Sequence, residues 1–347
     1  ADSVFLKACR REPVPHTPVW IMRQAGRYQR AYREVRAGLS MIDLCQSPEV
    51  AAEVTLMAVD RLGVDAAIIF SDILTPLIPM GLDLEFVKGE GPVIHNPVRG
   101  PQDVERLKQP APGDLDYVYE ALKLTRRALR PDIGLIGFAG APFTVASYVI
   151  EGGKSRHYAR TKTMMLTERP TWDALMERLV EMLIGYLRGQ IEAGADAVQL
   201  FDSWVGALSP DDYRQAVLPH VRRLIEAVSG SAPVIHFATG NPALLPLMKE
   251  AGGDVIGLDW RVELDEAWAQ LGDDVAVMGN LDPVALYAPE SVIRHRVERI
   301  LQQAGGRPGH IFNLGHGVLP DHDPTRVAAL VDAVHECSQS QAAPTPA

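Results

Sequence analysis

The sequence predicts an α/β fold, a (β/α)8 barrel in a single domain, and three observations carry the prediction. Eight short apolar runs rich in β-branched residues recur along the chain. Near-continuous apolar runs of that length suit strands covered on both faces. Helical patterns with recognisable starts and stops separate them, and strand–helix alternation of this kind closes naturally into a TIM barrel.

The predicted strands are 19–22, 66–70, 134–138, 197–201, 233–237, 255–258, 275–278 and 311–314. Between them, Ser47-Pro48-Glu49 opens a helix that stops at Gly63, with proline in the first turn and glycine just past the end. A longer helix is predicted over 171–194, where Leu175, Leu179, Met182, Leu183, Tyr186 and Leu187 recur at helical spacing. Ser209-Pro210-Asp211-Asp212 opens a helix predicted to end near Gly230. Asn241-Pro242, Pro289-Glu290 and Asp323-Pro324 open three more. No internal repeat or linker divides the chain, so 1–337 is read as one domain. The polar, Pro/Ala-rich segment 338–347 is read as a disordered tail.

Composition narrows the function. At 347 residues the chain can bury a large core, and 47% hydrophobic with 22% charged residues is ordinary for a soluble globular protein. No apolar run approaches membrane-spanning length and no signal-peptide core opens the sequence. Cys9, Cys45 and Cys337 are scattered without metal-binding spacing, which favours a reducing cytoplasm over a disulfide framework. A net charge of −10 argues against nucleic acid as a partner. Against that charge, the cations after the first apolar run stand out: Arg23 and Arg27, then Arg30, Arg33 and Arg36. They form the local cationic pocket an anionic ligand would require.

Active sites in such barrels lie where the strands end. The predicted strands lead into Arg23 and Arg27, Ser71-Asp72, 139–143 on the way to Tyr148, Asp202-Ser203, Ala238-Thr239-Gly240, Asp259, Gly279-Asn280 and Gly315-His316-Gly317. Taken singly, Asp72 and Ser203 are as well explained as loop caps, Tyr148 as core and His316 as an ordinary loop residue. In a barrel, their convergence on one predicted rim favours a shared site. Other motifs fail: 148–155 has Tyr148 where a phosphate loop needs glycine, and 137–143 lacks the glycine spacing of a dinucleotide fingerprint. His236 is followed two residues on by Ala238, where a zinc thiolate would stand, and His316 and His322 have no companion ligands. No metal is expected.

Six segments in order, RQAGRY (23–28), AAIIFSDIL (66–74), GFAGAPFT (137–144), SYVIEGG (147–153), FDSW (201–204) and NLGHGVLP (313–320), resemble the uroporphyrinogen decarboxylase family across nearly the whole chain. The resemblance implies a (β/α)8 barrel, a homodimer and a carboxy-lyase. It also implies removal of the four acetate carboxylates of uroporphyrinogen III to give coproporphyrinogen III in haem biosynthesis, without cofactor or metal. By matching motifs, Arg23 and Arg27, with the intervening Gln24, Ala25 and Gly26, and more distantly Arg36, would hold substrate carboxylates. Asp72 would face the pyrrole N–H groups. Tyr148, Ser203 and His316 would line the same cleft. Arginine suits the task because its planar fork pairs bidentately with carboxylate and stays charged.

The chemistry needs an acid near a pyrrole α-carbon, for which Arg23, His316 and Tyr148 are candidates, and an anion for the ring N–H, which Asp72 supplies. Two departures from the family pattern are visible, Gln29-Arg30-Ala31 in place of a Pro-Glu pair and Pro320 to Pro324 after the Gly-His-Gly turn. The competing readings are a zinc-dependent methyltransferase of the same superfamily, which would need cysteines this sequence lacks, and a non-catalytic tetrapyrrole-binding barrel, which would have lost Asp72 or Arg23.

Overall fold

A computed structural model describes residues 2–342. It is an α/β fold whose parallel sheet has seven strands: β1 (Ala66–Ile68), β4 (Gly134–Gly140), β5 (Ala197–Asp202), β6 (Val234–Ala238), β7 (Val255–Gly257), β8 (Ala276–Met278) and β9 (His310–Ile311), neighbours in that order. All six pairings are parallel, and the strands are almost wholly buried. That is why their sequences read as unbroken apolar runs rather than alternating ones. Helices cover the sheet. The longest, Arg169–Glu192, buries Leu175, Leu179, Met182, Leu183, Tyr186 and Leu187, the residues whose spacing predicts it.

Seven of the eight predicted strands form, with ends shifted by a few residues. The first does not. In 19–22 a single parallel bridge forms, Val19 with Phe312. The Val19 carbonyl accepts from Asp65 N at 2.8 Å on the other side. Beyond it the backbone donors are taken by side chains: Ile21 N donates to Gln24 Oε1 and Met22 N to Asn313 Oδ1, both at 3.0 Å. Once those N–H groups are satisfied locally, no strand ladder can continue.

A second element is absent from the sequence reading. Strands β2 (Leu84–Val87) and β3 (Gly91–Ile94) form an antiparallel hairpin outside the main sheet. It docks on the helix Pro142–Glu151, where Ile94 N donates to Gly152 O at 2.8 Å and Val98 N to Val149 O at 3.0 Å.

The predicted helix over 209–230 is two helices, Pro210–Ala216 and Leu218–Val228, broken at Val217. Pro219 has no N–H to return to Gln215, and carbonyls at the break find other donors. Arg169 donates to Gln215 O at 2.6 Å and Trp172 Nε1 to Ala216 O at 2.9 Å. The last helix runs Pro324–Ala342, so the first five residues of the predicted tail are helical, and Ser338 is buried. Residues 343–347 of that tail lie outside the described residues. Among the described residues no helix is long and apolar enough to cross a membrane.

Candidate active site

The sequence-predicted residues gather beyond the C-terminal ends of the strands. Arg23 is the first, held in the left-handed region at φ 62°. An arginine adopts that conformation only when its surroundings fix it, and Gln24 does the fixing. Its side chain is buried, accepting from Ile21 N and donating to Ala66 O at 3.1 Å, which pins the loop to β1. Gln24 O in turn accepts from Tyr28 Oη at 2.7 Å and from Gln29 Nε2 at 3.0 Å. Gln24 therefore positions the loop, and a ligand would meet Ala25 and Gly26 through their backbone.

The five arginines separate into two groups. Arg30 pairs with Glu34 at 2.7 Å on the exposed surface, and Arg33 donates to the carbonyls of Arg27 and Tyr28 at 2.7 and 3.1 Å. Among the described residues, Arg23, Arg27 and Arg36 have no carboxylate within ion-pair distance. Three guanidinium groups without anionic partners in a chain of net charge −10 is an arrangement for binding anions.

Asp72 sits in the loop after β1, half-buried, with Oδ1 accepting from Leu74 N at 2.8 Å. Burial lifts its pKa to about 6; the Leu74 hydrogen bond and the positive charge of Arg23 hold it from rising further. Arg23 is lowered, chiefly by dehydration and also by Arg27, while Tyr148 and Asp72 oppose the shift. By surface area Arg23 is solvent-exposed, which tempers that dehydration, yet its stem is packed so closely on Gly317 that a Cβ there would overlap it.

Tyr148 lies on the Pro142–Glu151 helix, stacked on Trp204 with ring centroids 3.8 Å apart and planes 27° from parallel. Its phenol is pushed well above the ordinary range by burial and by Asp72. His316 is pushed down to about 4 by burial and then by Arg23, and its Nδ1 accepts from Gly317 N at 2.7 Å. The imidazole is therefore neutral at physiological pH, with its proton on Nε2. Arg23, Arg27, Asp72, Tyr148 and His316 thus share one electrostatic neighbourhood. Arg36 joins it through Tyr32 and Cys45, whose pKa values it lowers. Ser203 follows β5 beside Trp204, its carbonyl accepting from Thr239 Oγ1 at 2.8 Å.

Close loop packing holds this end together. A Cβ on Gly206 would strike the backbone of Thr239 and Gly240, and one on Gly315 the backbone of Asp259 and Trp260. Asp259 receives Gly240 N at 2.7 Å and the Arg261 guanidinium at 2.5 Å. His236 lies elsewhere: it is fully buried against the backbone of Met248 and Gly252, away from these loops. Two surface grooves of about 330 and 290 Å³ share Trp260; of the strand-end residues named from the sequence, Asn280 lines the second, and none of Arg23, Arg27, Arg36, Asp72, Tyr148, Ser203 and His316 lines either.

The profile of the family described as uroporphyrinogen decarboxylase matches residues 1–337. The chain belongs to the uroporphyrinogen decarboxylase family. Relatives named uroporphyrinogen decarboxylase include one from Sorangium cellulosum, 54% identical over 334 residues and covering 95% of each chain. Another, from Carboxydothermus hydrogenoformans, is 53% identical and covers 97% of each. A solved methyltransferase from Methanosarcina mazei shares the fold, with TM-score 0.80 at 22% identity over 96% of this chain and 97% of that one.

At the candidate site, sequence reasoning gave no role to Trp204, and it named Asp202 only as a strand end and Gln29 only as a departure from the family pattern. Trp204, inside a matched motif, supports Tyr148. Asp202, fully buried, accepts from Thr144 Oγ1 at 2.7 Å, and burial lifts its pKa to about 7. Gln29 bridges Gln24 O and Tyr28 Oη from a buried position and so ties this loop together, while Arg30 pairs with Glu34 on the exposed surface.

Proposed function

We infer that this chain is a uroporphyrinogen decarboxylase, a lyase that removes carbon dioxide from the four acetate side chains of uroporphyrinogen III and yields coproporphyrinogen III. The observation that carries the reading is the set Arg23, Arg27 and Arg36, without carboxylate partners, beside a dehydrated Asp72. The substrate carries eight carboxylates around a ring of pyrrole N–H donors, and both halves of that description have a counterpart here.

Arg23, Arg27 and Arg36 bind side-chain carboxylates, with Ala25 and Gly26 offering backbone N–H groups. Tyr148, Ser203 and His316 line the cleft, and the neutral His316 donates from Nε2 to a carboxylate. Asp72, ionised above about pH 6, accepts from the pyrrole N–H groups. At each acetate, a proton is added to the pyrrole α-carbon next to the ring carbon that bears the acetate, making the pyrrole a cationic electron sink. The bond to the carboxylate then breaks, carbon dioxide leaves, and the electron pair neutralises the ring. A proton taken up by the exocyclic carbon and loss of the ring proton complete a methyl group, with one proton consumed overall.

Asp72 stabilises the cationic stage, an electrostatic contribution typically worth ~3–4 kcal/mol. Of the candidate acids, His316 is neutral and Tyr148 is held protonated, so Arg23, with its pKa lowered by dehydration, is assigned the proton delivery. The same reading includes an eight-membered barrel, with the segment around Val19 in the eighth place between Phe312 and Asp65, as well as a homodimer and a cytoplasmic location.

The test is anaerobic incubation of the metal-stripped protein with uroporphyrinogen III, resolving products by carboxylate number. Products with seven down to four carboxylates should appear in steps and vanish with Asp72→Ala. Binding without carbon dioxide release would replace the reading with a tetrapyrrole-binding protein.

A further inference from the structure

At the opposite end of β1 from Asp72, His16, Asp65 and His335 meet, although they come from the N-terminal segment, the residue before the strand and the last helix. His16 Nε2 lies 3.2 Å from Asp65 Oδ1, and His335 Nε2 lies 2.8 Å from Asp65 Oδ2. The two imidazoles meet edge to face with centroids 4.9 Å apart. All three ligand atoms lie within 4.8 Å of one another, and among the described residues this is the one such group of three.

We propose that these residues form a binding site for a divalent transition cation such as Zn²⁺ or Co²⁺, separate from the decarboxylation site. Two imidazoles and one carboxylate are the donors such ions select, and three protein ligands leave a position for water. The spacing suits the ion. Metal–ligand distances near 2.0–2.2 Å at tetrahedral angles put ligand atoms about 3.3–3.6 Å apart; the His16–Asp65 separation of 3.2 Å is near that, and the 2.8 Å His335–Asp65 separation would open slightly around an ion.

The scaffold around the cluster is built in advance. Val19 N donates to Asp65 Oδ2 at 2.8 Å, orienting the carboxylate so that Oδ1 is available. Asp65 N and O are both bonded, to Val19 O at 2.8 Å and from Gly134 N at 3.1 Å. Thr17 N donates to Ser338 Oγ at 3.0 Å, and Ser338 Oγ donates to His335 O at 3.3 Å, so the segment carrying His16 is tied to the helix carrying His335. Outer contacts of this kind hold metal ligands in place and strengthen binding.

Binding requires each Nε2 to be free of any proton shared with Asp65, so the ion takes the place of that proton. The exchange has access to water, because the side chains of His16 and His335 are 20% and 25% exposed. A bound ion would join three segments far apart in sequence and raise thermal stability in proportion to its saturation. Because the site is remote from Asp72, decarboxylation should not depend on it.

The experiment titrates the metal-stripped full-length chain with Co²⁺, followed by its visible absorption, then displaces it with Zn²⁺. Melting is recorded at each stage. One equivalent should bind, with a rise in melting temperature. His16→Gln and His335→Gln should each weaken binding by about 10- to 100-fold or more and abolish the rise, while the exposed His295→Gln leaves both unchanged. X-ray absorption on the Zn²⁺-loaded wild type should show two histidines in the first shell, a readout that does not depend on any variant folding. Absence of stoichiometric binding, binding undiminished in both variants, or a first shell without histidine would each overturn the proposal.

Discussion

The stem of Arg23 occupies the space a Cβ on Gly317 would fill, its Cγ 2.7 Å and its Nε 2.9 Å from that point. Two matched motifs at opposite ends of the sequence thus meet at one guanidinium. Gly317→Ala must push Arg23 aside while leaving the core untouched. Displacing a catalytic group by about 1 Å can cost on the order of 100-fold in rate. We expect kcat/KM on uroporphyrinogen III to fall by ~10–100-fold with a melting temperature within a few degrees of wild type; unaltered kinetics would mean that Arg23 is free to move without consequence.

Asp72 gives the reaction an acid limb. Its carboxylate must be ionised to stabilise a cationic pyrrole, and its pKa is about 6, raised by burial. kcat/KM should therefore fall as pH drops below about 6 and be level above it. His316, pushed down to about 4, stays neutral across that range and adds no step near 6.5. Asp72→Asn keeps the acceptor for Leu74 N but lacks the charge, so it should lower the plateau by ~100–1000-fold and remove the limb. A pH profile through the plateau and the limb, run on both proteins, decides this. A fall in rate on raising the pH through 6.5 would instead point to His316 as the acid.

Most of the fold was legible because the seven strands of the sheet are buried on both faces and read as apolar runs with helix signals between them. Where the reading failed, side chains had intervened in backbone pairing. Gln24 and Asn313 capture the N–H groups of Ile21 and Met22 that a strand over 19–22 would have offered. Pro219 breaks a helix whose freed carbonyls go to Arg169 and Trp172. The β2–β3 hairpin carried a weaker signal, a Lys88-Gly89-Glu90 turn between short runs. At the candidate site, motif resemblance nominated Arg23, Asp72, Tyr148 and His316, which the structure brings into one electrostatic neighbourhood. It also set Arg23, Arg27 and Arg36 apart from Arg30 and Arg33, but the physical ground for that, Arg30 pairing with Glu34 and Arg33 with a carbonyl, is visible only in three dimensions.

Tyr148 depends on Trp204 for its place. A stack at 3.8 Å fixes the ring plane of a tyrosine whose hydroxyl faces Asp72 and Arg23 electrostatically. Trp204→Leu removes the aromatic face, and the phenol loses its support. We expect KM to rise by about 10-fold, near the ~1 kcal/mol an aromatic pair contributes, with a smaller change in kcat. Trp204→Phe should restore most of the difference. Equal effects of leucine and phenylalanine would show that bulk, and not stacking, is what position 204 supplies.

Asp202 makes stability depend on pH in an unusual direction for a carboxylate. Its side chain is fully buried, Oδ1 accepts from Thr144 Oγ1, and burial raises its pKa from 3.8 to about 7. A folded-state pKa above the unfolded value means the native protein binds the proton more tightly. Stability from this group is therefore full below about pH 4 and declines as pH rises towards 7, where the buried carboxylate must ionise. The loss is on the order of a few kcal/mol. Asp202→Asn keeps an oxygen acceptor for Thr144 and carries no charge, so its melting temperature relative to wild type should be clearly higher at pH 8 than at pH 5, where most of the ionisation cost has yet to appear. Paired melting curves at the two pH values test this directly. A variant less stable than wild type at pH 8 would mean that the ionised carboxylate is held by contacts that outweigh its dehydration.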